Sequence, residues 1–531
     1  MGRWVRGAVL VAALLAGLPL ASAAFAQKAG GVLKLYHRDS PASVSILEEA
    51  TISTIIPMSA VFNNLVVFDP KTPQESLQSV VPDLATSWEW SDDGKILTFK
   101  LRSGVKWHDG KPFTAADVKC TWDLMLGRGT AKLRINPRKT WWDNIADVAA
   151  PNDGEAVFTL KRPQPAVLAL MASGMSPIYP CHVAPAQMRQ HPIGTGPFKF
   201  VEFKPNESIK LVKNPDYWKP GRPYLGGIEY TIIPNRSTAI LAFVAGKFDM
   251  TFPYQVTLPL LKQVKAESPD AICEARPTNG TNALLNQTTA PFDNPQLRRA
   301  VALSLDRRGL INMLTDGQGT LGAAMLTPPE GLWGLPLDIL QTMPGYGADV
   351  EKNRTEARAI MQKLGYGPDK PLPIKVMTRN VNVFRDTAVA LTDQLKQIYI
   401  AGELDLVETA QWYPKLARKD FALAYNLTER GVDDPDALFF ESYGCGSDRN
   451  YTGYCNHDID AAFVRQSVEP DQAKRKALVW DIEKQLEEEG ARITMYYSRT
   501  ATCWHPQVKG VSLPVNSLYN GWRFEDIWLD R

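Results

Sequence analysis

Six cysteines are the most reactive side chains in this sequence: Cys120, Cys181, Cys273, Cys445, Cys455 and Cys503. Cys445 and Cys455 bracket the polar, turn-rich run C-G-S-D-R-N-Y-T-G-Y-C. Its spacing matches no common zinc pattern and suits a disulfide closing about 11 residues. Spacing leaves the other four open, either bonded or simply buried. The six histidines, His37, His108, His182, His191, His457 and His505, show neither H-E-x-x-H nor any paired spacing, so no metal site is expected. Gly317-Gln318-Gly319-Thr320-Leu321-Gly322 matches G-x-G-x-x-G. A dinucleotide site needs a strand before that motif and a helix opening at it. Here Leu310 to Leu314 reads as helix, so the motif is a glycine-rich loop. No G-x-S-x-G nucleophile elbow is present. Serine and aspartate are too common for a triad to be argued from spacing, so these patterns offer no catalytic residue and no cofactor site.

The chain opens with Arg3 and Arg6, an apolar run from Gly7 to Leu20, and two A-x-A sites, Ala21-Ser22-Ala23 and Ala24-Phe25-Ala26. This is the layout of a cleavable secretory signal peptide. Cleavage after Ala26 leaves Gln27 first; cleavage after Ala23 is the other choice. The run is shorter than the roughly 20 residues a spanning helix needs, although an uncleaved anchor is the alternative. No cysteine lies near either site, which excludes a lipoprotein anchor. Export to the periplasm permits disulfides. No later stretch reaches about 18 apolar residues, so the mature protein is expected to be soluble. Lys plus Arg total 59 and Asp plus Glu 57, and the excess is the two leader arginines. With no basic patch or long like-charge run, a nucleic-acid partner is excluded.

The elements read as mixed α and β. Gly31 to Tyr36 alternates like a strand. Trp88 to Leu101 reads as a hairpin turning at Asp93-Gly94. Thr114 caps a helix with Asp117 in the capping-box position. Phe198 to Lys204 and Ser208 to Lys213 form a second hairpin, and Gly226 to Ile233 a further strand. The second half is more helical: Asn294-Pro295 starts a helix with Leu297, Ala300, Val301 and Leu305 on one face. Further helices run over Thr355 to Leu364, Asp386 to Ile398 and Asp471 to Glu489. The last carries Ala477, Leu478, Ile482 and Leu486 as its apolar stripe, with a solvated charged face. Leu326 to Pro344 reads as an ordered surface loop. No repeat of about 20 to 50 residues is found, which disfavours a solenoid or propeller.

Four segments together resemble the extracellular solute-binding family that includes dipeptide- and oligopeptide-binding proteins (family 5). The first is Pro82 to Trp88, continuing through I-L-T-F-K-L-R-S-G-V-K-W-H-D-G-K-P-F-T-A-A-D-V. The second is H-P-I-G-T-G-P-F-K-F from His191, followed by N-P-D-Y-W from Asn214. The third is P-F-D-N-P-Q-L-R-R-A-V-A-L-S-L-D-R from Pro291. The fourth is N-Y-T-G-Y-C-N-H-D-I-D from Asn450. They fall in the family's order and span roughly residues 30 to 525. Trp88 and Trp107 read as core, and Gly194 and Gly196 as a tight turn.

The resemblance implies an α/β, two-lobed periplasmic-binding-protein fold (class II-like, cluster C) with an extra inserted subdomain. Lobe one would comprise 27–60, 193–285 and 498–531, the inserted subdomain 61–192, and lobe two 286–497. The chain would cross between lobes near Asn282 to Asn286 and near Tyr496 to Arg499. In peptide-binding relatives a carboxylate before a D-P turn holds the ligand's amine. Here the turn is Asp434-Pro435-Asp436, and ungapped counting puts Gly431 at that position and Thr428 where a tryptophan is expected. Glu429 or Asp433 would substitute after a short shift, or Asp433, Asp434 and Asp436 serve only the turn. Arg379, after the strand Ile374 to Met377, falls within one position of the relatives' carboxylate-binding arginine. Trp412 falls where relatives place a tryptophan beside the ligand. Tyr36, Asp39 and Ser40 follow the first strand and would face the cleft. The implied function is the periplasmic substrate-binding component of an ABC transporter, a monomer handing a small solute to an inner-membrane permease. The solute would be peptide-like, opine-like or an oligosaccharide. Lobe closure around the ligand requires no covalent chemistry, so the resemblance implies a protein that is not an enzyme. A secreted hydrolase using the same cleft and a ligand co-receptor for a membrane sensor are the alternatives.

Overall fold

Val32–His37, whose side chains alternate until its last turns inward, pairs in parallel with Gly227–Ile232. That strand continues through the hairpin Ser208–Lys213 and Phe198–Lys204 to make a four-stranded sheet. The computed structural model describes residue 2 and residues 27–428 and 431–531. The leader expected over the first 26 residues lies outside the described residues apart from residue 2, and so does Glu429. Among the described residues, no helix is long and apolar enough to cross a membrane.

A second sheet has six strands, in the order Val256–Thr257, Ile493–Trp504, Ile272–Leu285, Leu423–Thr428, Leu372–Arg379 and Ile400–Val407. Two of these are long. Ile272–Leu285 and Ile493–Trp504 run antiparallel from Ile272 opposite Trp504 to Ala283 opposite Ile493. Their register shifts between Pro277 and Gly280, and again between Thr281 and Asn282. One end of this ribbon joins a core containing Leu33, Ile55, Tyr230, Met250 and Trp522. The other end joins a core containing Val301, Leu310, Val376, Leu391 and Met495. These cores are the two lobes, and the irregular stretch of ribbon lies between them.

Ala85–Trp90, Ile96–Leu101, Glu155–Leu160 and Ile145–Asn152 form a separate antiparallel sheet. Helix Ala115–Met125 covers it, with Trp122 against Phe158. This is the inserted subdomain, and its core is continuous with that of the first lobe. The Thr114 N–H donates to the Asp117 carboxylate at 3.0 Å, closing the expected capping box. Gly194 and Gly196 are required by close approach: a Cβ at either would lie 1.8 Å from the Val61 carbonyl oxygen or 2.4 Å from its carbon. The expected tight turn is therefore a contact between backbones.

The long helix is Gln472–Glu488, and its buried face differs from the expected stripe. Arg475, Val479, Ile482, Glu483 and Leu486 are buried, whereas Ala477 is exposed. Two charges lie inward because distant partners satisfy them. Arg475 grips Asp434 through both terminal nitrogens, at 2.9 and 2.7 Å. Glu483 accepts the Met325 and Leu335 N–H groups at 2.6 and 2.7 Å, pinning the loop between them. Burial pushes the Glu483 carboxyl up to about 8, even with those two donors. Helix Val350–Lys363 starts earlier than expected, because Asp349 accepts the Lys352 N–H at 3.0 Å.

All six cysteines are paired: Cys120 with Cys181, Cys273 with Cys503, and Cys445 with Cys455. Cys273 and Cys503 are register partners on the two long strands, where the ribbon belongs to the first lobe. Cys445, Cys455 and His457 lie together, but both sulfurs are committed to the disulfide.

Candidate functional site

Strand Val32–His37 ends in Arg38 and Asp39, and strand Leu372–Arg379 of the other lobe ends in Arg379. Both carboxyl ends point into the space between the lobes, and there the two side chains meet. Arg379 Nη2 donates to Asp39 Oδ2 at 2.6 Å. Thr409 Oγ1, at the start of helix Thr409–Ala417, donates to the same oxygen at 2.9 Å. Ser53 donates to the other carboxylate oxygen, and Arg38 lies 3.5 Å from it. Burial alone would raise the Asp39 pKa, but the Arg38 and Arg379 guanidiniums, with His37 and Ser53, hold it well below the usual carboxylate range. Burial pushes the neighbouring His37 down to about 4, so it is neutral and bonds the Ser53 carbonyl at 2.9 Å. Arg379 is only 1 % exposed and stacks over the Phe384 ring at 4.6 Å. Its Nε has no partner among the described residues.

Beside this contact lies a cavity of about 870 Å³ with a wall from each lobe. Glu49, Arg134 and Ile135 line one side; Thr409, Tyr413, Lys419, Arg449 and Tyr451 line the other. Arg134 pairs with Glu49 at 3.0 Å, and Ser43 donates to Glu49 at 2.8 Å. Burial raises the Glu49 pKa, opposed by those two partners. The Tyr413 and Tyr451 rings lie 6.1 Å apart. A smaller enclosed pocket adjoins it, lined by Trp141, Met175, Gly431, Asp433, Glu441 and Arg449. Arg449 faces both spaces. It pairs with Glu441 at 3.1 Å and lies over the Tyr413 ring at 5.6 Å.

The lobes also touch around this pocket. The Trp141 indole donates to the Ala437 carbonyl at 2.9 Å, Gln164 to the Asp436 carboxylate at 2.7 Å, and Asn520 to the Gly431 carbonyl at 3.0 Å. Asp434 and Asp436 are structural: Asp434 caps helix Pro435–Ser442, and both hold Arg475. Asp433 lines the pocket, but its carboxylate already accepts the Leu332 N–H at 2.8 Å and the Asn516 amide at 3.0 Å. At Gly431 a Cβ would lie 2.0 Å from Met175 Cε, so methionine fills the space a longer side chain would take.

Of the residues expected at the site, Asp39 and Arg379 are brought together, against each other. Trp412 is 0 % exposed and packs among Leu284, Met377, Leu416 and Tyr451; the cavity wall is its neighbour Tyr413. Tyr36 is buried in the first core against Phe248, since its strand turns that face inward. Ser40 accepts the Asn206 N–H at 3.1 Å, anchoring the hairpin turn of the four-stranded sheet. Thr409, Tyr413 and Arg449 were not anticipated. Arg449 lies inside the Cys445–Cys455 loop, and the cluster of polar and aromatic residues there was the available signal.

Two lobes joined by a two-stranded ribbon, with a walled cavity between them, define a solute-binding protein. The chain belongs to the bacterial extracellular solute-binding proteins, family 5, whose model matches residues 79–450. It is 26 % identical over 441 residues to the probable D,D-dipeptide-binding periplasmic protein DdpA of Escherichia coli, covering 81 % of each chain. It is 27 % identical over 457 residues to the probable deoxycholate-binding periplasmic protein YgiS of Escherichia coli, covering 82 % of this chain and 83 % of that one. The fold is shared with the periplasmic binding protein DppA of Helicobacter pylori in complex with the peptide STSA. The TM-score is 0.82 at 21 % identity, covering 95 % of this chain and 99 % of that one.

Proposed function

We propose that this chain is the periplasmic receptor of an ABC importer, which captures a small organic solute between its lobes and presents the closed form to an inner-membrane permease. The observation that carries the reading is the cavity of about 870 Å³ with walls from both lobes. A ligand touching both walls stabilises only the closed form and shifts the population by that difference in affinity. The lobes divide as 27–60, 193–285 and 498–531 for the first, 61–192 for its insertion, and 286–497 for the second. The expected crossings are near Asn282 to Asn286 and Tyr496 to Arg499, and the register shifts at Pro277 to Asn282, opposite Arg499 to Thr494, support a hinge next to them. The leader composition supports export with a cleavable signal peptide, and the receptor is read as a monomer. The solute is peptide-like or opine-like. Gly431, backed by Met175, favours a ligand whose amine is not the main anchor. Binding without turnover is favoured over hydrolysis. Thr409 does donate to Asp39, but a carboxylate held that far down by two guanidiniums is too weak a base to activate a hydroxyl. The test is native mass spectrometry of protein purified without denaturation, followed by small-angle scattering with each solute recovered. A contraction on adding a recovered solute supports the receptor. Chemical conversion of that solute, or no change of shape with any, refutes it.

A further inference from the structure

We infer that closing the lobes takes up a proton from solvent at Glu75, a carboxylate that the seam buries beside Asp433 of the opposite lobe, so that solute is captured more tightly in acid. This goes beyond the receptor reading and rests on the lobe closure in it.

Glu75 belongs to the inserted subdomain, and its own lobe anchors it. Its N–H donates to Asn516 Oδ1 at 2.8 Å, and Asn516 Nδ2 donates back to its carbonyl at 2.8 Å. Asn520 Nδ2 donates to its carboxylate at 2.7 Å. The same two asparagines reach across the seam. Asn516 donates to the Asp433 carboxylate and Asn520 to the Gly431 carbonyl, each at 3.0 Å. Gln74, one residue earlier, donates to the Pro329 and Glu330 carbonyls of the second lobe at 2.9 and 3.1 Å. Closing therefore covers Glu75 with the second lobe and leaves it 5 % exposed.

The groups that face it do not neutralise it. Asn520 and Ser517 are neutral donors, and Asp433 adds a like charge. Both lobes wall a cavity of about 100 Å³ beside Glu75, whose other charged groups are Asp434, Glu469 and Arg475. Arg475 is held by Asp434 and Asp436 at 2.7 and 3.2 Å, and Glu469 accepts the Asp471 N–H at 2.9 Å. On the neighbouring segments Glu330 pairs with Arg499, and Asp69 accepts the N–H of the exposed Lys71. Among the described residues no cation forms an ion pair with Glu75. A buried carboxylate with neutral donors and a like charge beside it favours its protonated form. Burial pushes Glu75 up to about 7. In the open form water reaches the side that the second lobe covers, and Asp433 is withdrawn, so the group returns towards its ordinary value of about 4.3. A group whose value rises on closing stabilises the closed form while it is protonated. The closed-to-open ratio is therefore highest below about pH 4.5 and falls as pH rises to about 7, by at most about tenfold per unit.

The test is small-angle scattering of the ligand-free mature protein at steps between about pH 5 and about pH 8, spanning the folded-state value. In the parent the radius of gyration is expected to grow as pH rises and to level off above about 7. Glu75→Gln is expected to keep the parent's acid-side radius at every pH, because an amide is neutral throughout. Asp433→Asn is expected to move the parent's transition to lower pH, because the like charge is gone. Circular dichroism and urea unfolding check that the variants fold. A merely structural Glu75 would alter the urea midpoint with pH and leave the radius of the folded protein level. The inference is overturned if the parent's radius does not change with pH, or if Glu75→Gln opens with pH as the parent does. A level radius in the empty protein, with contraction on adding a solute recovered from it, removes the proton and leaves the receptor standing. Failure of every recovered solute to contract the protein at any pH removes both.

Discussion

Asp39→Asn tests whether the lobes are held together by the contact between Asp39, Arg379 and Thr409. In the open form Asp39 keeps Arg38 and Ser53, which belong to its own lobe, and loses only Arg379 and Thr409. The closure term is therefore the charge-assisted bond from Arg379 with the hydroxyl bond beside it. A charge-assisted bond contributes about 1.5–3 kcal/mol net. Taking about 2 kcal/mol, its loss shifts the closed-to-open ratio of the empty protein about 30-fold towards open. The carboxyl is held below its ordinary range, so its contribution is present above the unfolded value of about 3.9 and lost only as pH falls through the folded value. The contact therefore holds across neutral pH. The assay is small-angle scattering of ligand-free protein. A compact chain of about 500 residues has a radius of gyration near 23 Å. Asp39→Asn is expected to exceed the parent, Thr409→Val to move the same way by less, and Asp39→Asn with Arg379→Gln to add little beyond either alone. An unchanged radius in a natively folded Asp39→Asn variant refutes the reasoning.

Three further outcomes follow from the same geometry. Replacing Cys273 and Cys503 with alanine is expected to lower the urea midpoint more than replacing Cys445 and Cys455. In the chain-entropy model, a separation of 230 residues is worth about 5 kcal/mol and one of 10 about 3 kcal/mol. Glu75, buried beside Asn520, is pushed up to about 7 by burial. The stability it confers is therefore full below about pH 4.5 and declines as pH rises to about 7. At about 1.4 kcal/mol per unit this is at most on the order of 3 kcal/mol, and Glu75→Gln should flatten that part of the urea-midpoint profile. Trp412→Ala should cost about 3–5 kcal/mol of stability, as deletion of a buried core ring does. Trp412→Phe should leave ligand affinity, measured by calorimetry, close to the parent's.

What was legible in the sequence is what local chemistry decides. The hairpin from Phe198 to Lys213, the capping box at Thr114, the helix start at Asn294 and the short disulfide loop each depend on partners a few residues away. The pairings of Cys120 with Cys181 and Cys273 with Cys503 depend on packing and strand register, which spacing does not carry. The helix Gln472–Glu488 shows the limit of apolar periodicity. A stripe drawn from apolar residues alone cannot include Arg475 and Glu483, whose burial is satisfied by Asp434 and by the N–H groups of Met325 and Leu335.

The site obeys the same division. The two strand ends that reach it were identified, yet their partnership joins residues 340 apart in the chain. Trp412 and Tyr413 differ by one position on a helix, about 100° of rotation, and that step separates a core tryptophan from a cavity-lining tyrosine. Residue type and position suggested the aromatic; only the packing of helix Thr409–Ala417 on the strands beneath it decided which ring a ligand meets. Gly431 is the converse case. Its lack of a side chain looked like a missing ligand group, but Met175 from the opposite lobe occupies that volume. The pocket is shaped there by a neighbour's thioether, and the Glu441 and Arg449 that line it come from a helix and a disulfide loop that adjacent sequence does not bring together.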